Sequence, residues 1–141
     1  MTKLVESLIK RKCITIKESA NIAELVFHLN KHRIGCLVVL SDNGKRTVGI
    51  VSERDLIRSF DMITNNTDIK ISDIMTSNVI SCDTKTSSKE LMEMMTSNRI
   101  RHIPIVENSK LLGIVSIGDV VNRLIQNYSE EMKQLRDYIS S

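Results

Sequence analysis

The heptapeptide Gly49-Ile50-Val51-Ser52-Glu53-Arg54-Asp55 returns as Gly113-Ile114-Val115-Ser116-Ile117-Gly118-Asp119, and this recurrence constrains the fold more than any other feature of the chain. Each copy reads as the end of a buried strand running straight into the first turn of a helix. An apolar helical stripe follows each one: Leu56 and Ile57 after the first, Val120, Val121 and Leu124 after the second. Such a junction aims backbone N–H groups and the positive end of a helix dipole at one spot, which suits a phosphate group. Two junctions in one short chain imply two related sites.

Helix capping is the plainer account of the same motif. In Ser-x-x-Asp the serine accepts from the N3 amide and the acid reaches back to the cap, as in a capping box. Two details point beyond capping. The box favours Glu or Gln at N3, yet both copies carry Asp. Gly118 lies in a first helical turn, where glycine is about 1 kcal/mol worse than alanine, so the backbone there is expected to be approached closely.

The repeat extends well outside the motif. Cys13-Ile14-Thr15-Ile16 reads as a strand, Ser19 as a cap, and Ile22, Ala23, Leu25, Val26 and Leu29 as the buried side of a helix. Gly35 breaks the chain before the continuous apolar run Cys36 to Leu40, a central strand. Asp42-Asn43-Gly44 signals a hairpin turn, Thr47 to Val51 the return strand, and Ser52 to Phe60 a helix. Asp61 to Lys70 is polar and marks a boundary. The second half repeats the order with a strand over Asn78-Val79-Ile80-Ser81 and a helix capped by Ser87 or Ser88. Its central strand is Ile103-Pro104-Ile105-Val106, its turn Asn108-Ser109, and its return strand Leu111 to Val115. Arg33-Ile34 aligns with Arg99-Ile100, and the small change in offset by Gly113 falls in the hairpin loop, where length varies freely. The order β-α-β-β-α therefore occurs twice. The expected boundaries are 13–62 and 78–128 for the halves, 63–77 for the linker and 129–141 for a tail.

Outside the repeat, Leu4, Val5, Leu8 and Ile9 make a short amphipathic lead-in helix over residues 3 to 10. At the other end, Leu124, Ile125, Tyr128, Met132, Leu135, Tyr138 and Ile139 continue a helical stripe almost to the terminus. A long amphipathic tail covers either its own body or a partner subunit, and the second is expected here. Met92, Met94 and Met95 read as core filler.

Several functions are disfavoured. The net charge of +3 is mild and its cations are scattered apart from Lys10-Arg11-Lys12, which reads as a solvated linker, so nucleic acid gains little support. Cys13, Cys36 and Cys82 are odd in number and lack Cys-x-x-Cys spacing, which argues for reduced thiols and against zinc. No signal peptide and no membrane-length apolar run are present, so a soluble cytoplasmic protein is expected. There is no Gly-x-Gly-x-x-Gly, no P-loop lysine motif and no metal-type His/Cys spacing, and His28, His32 and His102 lie apart.

Two β-α-β-β-α halves, each ending in Gly-h-h-Ser-x-x-Asp (h, hydrophobic), with Arg-Ile-Arg-His-Ile-Pro-Ile-Val at the second central strand, resemble a tandem CBS-domain protein, or Bateman module, of the stand-alone type. The resemblance spans roughly Cys13 to Ile125. It implies an α/β (α+β) fold of two pseudo-symmetric halves with two clefts between them. It also implies that each cleft joins the Ser-x-x-Asp of one half to the early strands of the other. The aspartate would bind ribose hydroxyls, serine and amides the phosphate, and apolar strand residues the adenine. Carried onto this sequence, cleft one would use Ser52, Arg54 and Asp55 with Thr76, Ile80, Ile100, Arg101 and His102. Cleft two would use Ser116, Gly118 and Asp119 with Cys13, Ile14, Ile34, Gly35 and Cys36. Cleft one gathers Arg54, Arg101 and a titratable His102 and can neutralise several phosphate charges. Cleft two has no obvious cation, relies on Gly118 and helix amides, and is expected to suit fewer charges or to bind more weakly. Plainer roles exist for these cations: Arg101 and His102 can pair with local carboxylates, and Arg54 can be a surface helix residue.

Three functions remain open at this level. The leading one is a non-enzymatic regulatory sensor of an adenine nucleotide (AMP, ADP, ATP, NAD(H) or S-adenosylmethionine, as the resemblance implies), acting as a homodimer without a catalytic cofactor. The others are an enzyme and a nucleotide-independent module that binds protein or nucleic acid.

Overall fold

The computed structural model describes residues 2–140. The first half contains β1 (Thr15–Lys17), α2 (Ile22–His32), β2 (Cys36–Leu40), β3 (Thr47–Ser52) and α3 (Glu53–Arg58), preceded by α1 (Lys3–Leu8). Two short helices follow, α4 (Phe60–Asn65) and α5 (Ile71–Ile74). The second half contains α6 (Ser88–Asn98), β4 (His102–Glu107), β5 (Lys110–Ser116) and α7 (Ile117–Ser140). β1 runs parallel to β2 and β2 antiparallel to β3, while β4 and β5 form a separate antiparallel pair.

The halves repeat down to their irregularities. Cys36 pairs with Ser52 and His102 with Ser116, and the ladder shifts register after Val39 in one half and after Ile105 in the other. Both core helices end on an arginine in the left-handed region, Arg33 (φ 52°) and Arg99 (φ 54°). The break expected at Gly35 thus comes two residues earlier. Asn108 and Ser109 both take positive φ, which closes the tight second hairpin.

The strand expected over Asn78-Val79-Ile80-Ser81 does not form. Only Cys82 bridges β4, opposite Ile105, with its N–H on the Pro104 carbonyl at 2.9 Å and its carbonyl taking the Val106 N–H at 2.8 Å. In the first half the same ladder runs one pair further at each end, Thr15 opposite Val38 and Lys17 opposite Leu40. The position equivalent to Val38 is Pro104, which has no N–H to donate, so the pairing stops on that side.

Other boundaries shift for local reasons. Asn21, not Ser19, caps α2 by accepting from the Glu24 amide at 2.9 Å, and Ser19 instead donates its hydroxyl to Asp42 at 2.6 Å. Ser87 caps α6. Leu25 and Leu29 are the buried residues of α2; Ala23 and Val26, expected inside, are exposed. The helix expected from Ser52 to Phe60 breaks at Ser59 into α3 and α4.

There are two cores. One gathers Leu25, Leu37, Val39 and Val51 with Ile69, Ile71 and Ile74, so the segment after the first half folds back into it. The other gathers Leu91, Met95, Ile103, Ile105, Val115 and Val120 with Leu4, Val5 and Leu8 of α1. The N-terminal helix therefore completes the second half, tied there by the Thr2 N–H on the Thr84 carbonyl at 2.9 Å. Met92 and Met94 pack against the same core, as expected of filler.

Candidate functional site

Both Ser-x-x-Asp junctions close as reciprocal capping boxes. At the first, the Ser52 N–H and Oγ donate to Asp55 Oδ2 at 2.9 and 3.1 Å, and the Asp55 N–H donates to Ser52 Oγ at 3.3 Å. At the second, the Ser116 N–H and Oγ reach Asp119 Oδ2, both at 2.9 Å, and the Asp119 N–H reaches Ser116 Oγ at 3.2 Å. The boxes fix where each carboxylate sits, at the mouth of a cleft between the halves.

Cleft one is a cavity of about 550 Å³, within the range that holds small ligands. All eight residues expected there line it: Ser52, Arg54, Asp55, Thr76, Ile80, Ile100, Arg101 and His102. Thr76 is held by a two-way backbone bridge to Ile50, with N–H···O distances of 3.0 and 2.9 Å. That bridge needs Gly49: a Cβ there would lie 2.7 Å from the Thr76 carbonyl and 2.7 Å from Met75 Sδ. Arg58 and Arg99 also line this cleft, which brings four arginines to its wall, against Glu53 and Asp55.

Cleft two is smaller, about 370 Å³. Cys13, Ile14, Ile34, Gly35, Cys36, Ser116 and Asp119 line it as expected; Gly118 does not, and a Cβ on Gly118 would meet only Ser116 Oγ at an ordinary 3.7 Å. The expectation of a cleft without cations is wrong. Arg11, Lys12 and Arg33 all line it, and Arg11 is bound to Asp119 through both guanidinium ends, Nη1–Oδ1 at 3.1 Å and Nη2–Oδ2 at 2.9 Å. Its Nη2 also donates to the Ile114 carbonyl at 3.2 Å. The tripeptide read as a solvated linker follows α1 directly. Because α1 packs on β5 and α7, its exit delivers Arg11 to the second junction. Burial alone would raise the Asp119 carboxyl, but the hydrogen bonds from Arg11 and Ser116 outweigh it and hold it below the usual carboxylate range. No ion pair forms on Asp55 among the described residues, so the two junctions differ in state.

The clefts share a wall. Gly35, Cys36 and His102 line both, although each was expected in one only. Burial lowers the His102 imidazole below its ordinary value; Arg101 adds to this, while Asp119 on one side and Glu53 on the other oppose it. Burial pushes the Cys36 thiol up to about 12, with Asp55 and Cys13 adding to the rise, so it stays a neutral thiol. Burial likewise raises Cys13, against the pull of Arg11.

The residues missed by sequence reasoning are mainly cations. Arg99 and Arg33 hold equivalent positions in the repeat, and that shared arginine was the available signal. The left-handed backbone places each at a cleft. Arg11 gave no sequence signal, since it is 108 residues from its partner. Among the described residues no group of three or more His, Cys, Asp and Glu could hold a metal ion, and no helix is long and apolar enough to cross a membrane.

The CBS domain family model matches residues 5–61 and 71–126. The CBS domain-containing protein CBSX3, mitochondrial, of Arabidopsis thaliana is 34% identical over 122 residues, 84% of this chain and 59% of that protein, so the chain spans under two thirds of that relative. The CBS-domain containing protein ATU1752 of Agrobacterium tumefaciens is 38% identical with a TM-score of 0.73, covering 79% of this chain and 84% of that one. The CBS domain protein PAE2072 of Pyrobaculum aerophilum, solved in complex with AMP, is 32% identical with a TM-score of 0.74, covering 84% and 89%. Repeat, junctions, paired clefts and these matches agree, and the chain is a member of the CBS-domain family with two CBS domains in tandem.

Proposed function

We propose that the protein is a non-enzymatic regulatory sensor that binds an adenine nucleotide in the clefts between its CBS domains, working in the cytosol as a homodimer and without a catalytic cofactor. One observation carries this reading: in cleft one a fixed carboxylate and a helix N-terminus from one half face apolar Ile80 and Ile100 and the cation Arg101 of the other. In this reading Asp55 takes a ribose diol, the helix amides and arginines take phosphate, and the isoleucines take a base. The AMP complex of the Pyrobaculum relative supports the same ligand class. Both clefts suit phosphate, because cations outnumber carboxylates in each: four arginines against Glu53 and Asp55 in cleft one, and Arg11, Lys12 and Arg33 against Asp119 in cleft two. Cleft two, with Asp119 already engaged by Arg11, binds when a ligand displaces that arginine.

A thermal-shift panel with AMP, ADP, ATP, NAD, NADH, S-adenosylmethionine and GTP tests the reading. A ligand that binds the folded state alone raises the midpoint with ln(1 + [L]/Kd), so shifts at one concentration rank affinities. A selective rise with one or two adenine ligands is expected. A flat panel from folded protein overturns the sensor and leaves the interaction module.

A further inference from the structure

Beyond the core, α7 carries an apolar stripe that its own body does not cover. Val121, Ile125, Tyr128, Met132, Leu135 and Ile139 recur at spacings of 4, 3, 4, 3 and 4, the a/d pattern of a coiled coil. Ile125 is 58% exposed, Leu135 53% and Ile139 73%, and every residue from Tyr128 to Ser140 is exposed. A free-standing helical segment of that length is marginal in water, so its helicity calls for a partner. Past the CBS body the outward positions of the same heptads, Glu130 and Asp137, are charged and exposed, as expected of a two-stranded coil.

The flanking charges decide what that partner is and how it lies. Glu131 takes a g position and Arg136 the following e position. In a parallel, in-register pair, Glu131 of each copy meets Arg136 of the other, twice by symmetry. In the antiparallel register that matches the apolar stripes, Glu131 faces its own copy instead. The geometry points to a second copy of this chain as the occupant of the α7 stripe, with the two helices parallel and in register and both CBS bodies at the same end. This rests on the reading of the tail as the dimer surface, and it adds the orientation.

Charge reversal and a distance measurement test it together. Glu131→Arg and Arg136→Glu are each expected to weaken dimerisation about tenfold, and the double reversal to restore it. Nitroxide labels on Ser140→Cys, in a Cys13→Ser background, are expected to lie within about 20 Å in the dimer, against about 30 Å added separation in the antiparallel register at 1.5 Å per residue. A dimer without rescue and with the long distance overturns the parallel arrangement. A monomeric wild-type chain by light scattering overturns the dimer reading itself.

Discussion

Replacing Arg11 by alanine separates the two clefts. In cleft two the guanidinium holds both oxygens of Asp119, at 3.1 and 2.9 Å, so a ligand whose diol uses that carboxylate must first break the pair. Two unit charges at about 4 Å attract by about 4 kcal/mol at an effective dielectric near 20. The Arg11 side chain is 54% exposed and that of Asp119 17%, so solvent and salt reduce the net value to about 1 kcal/mol. Arg11→Ala is therefore expected to tighten adenosine in cleft two about fivefold. AMP should gain less, because the displaced arginine can transfer to its phosphate and offset the lost pair. Titration calorimetry in an Asp55→Ala background, which weakens cleft one by about 2 kcal/mol, separates the signal of cleft two. Equal changes for adenosine and AMP, or no gain for adenosine in a variant of unchanged melting temperature, would refute the idea that Arg11 guards this site.

Four further outcomes are expected. Asp55→Ala and Asp119→Ala each weaken nucleotide binding in one cleft by about 2 kcal/mol while the melting temperature stays within a few degrees, and unchanged affinity in both sinks the cleft assignment. Gly49→Ala overpacks the Met75–Thr76 contact and destabilises by about 1–3 kcal/mol in urea unfolding. Gly113→Ala is nearly neutral because its Cβ would meet Leu8, Ile105 and Ile9 only at 3.6–3.9 Å; equal losses in the two would refute the packing argument. His102 has a folded value below the unfolded one of about 6.5, so the unfolded chain takes up the proton first and stability is lost as pH falls through the folded value. His102→Gln should flatten that loss as pH falls below about 7, and an equal fall in both proteins refutes it. Truncation after Ile125 is expected to give a monomer by light scattering, and an unchanged mass removes the tail from the interface.

The sequence by itself determined the repeat, and with it most of the architecture. Gly-Ile-Val-Ser-x-x-Asp is a local instruction: apolar residues bury a strand, Ser caps the next helix, and Asp closes the box within three residues of it. Interactions of such short range are legible because the partners are neighbours in the chain. The stop at Pro104 was legible in principle too, since the missing N–H is a property of the residue, but its effect depends on which strand comes alongside. What the tertiary structure alone decided is the long-range exchange. α1 leaves the half it precedes and completes the core of the other, because Leu4, Val5 and Leu8 find an uncovered apolar face on β5 and α7. That docking carries Arg11 across 108 residues to Asp119 and closes the carboxylate of cleft two with a guanidinium. Tertiary packing likewise makes Gly35, Cys36 and His102 a wall shared by both clefts. A pattern of residues specifies which faces are apolar and which are charged; which face meets which is settled by the three-dimensional packing that buries them.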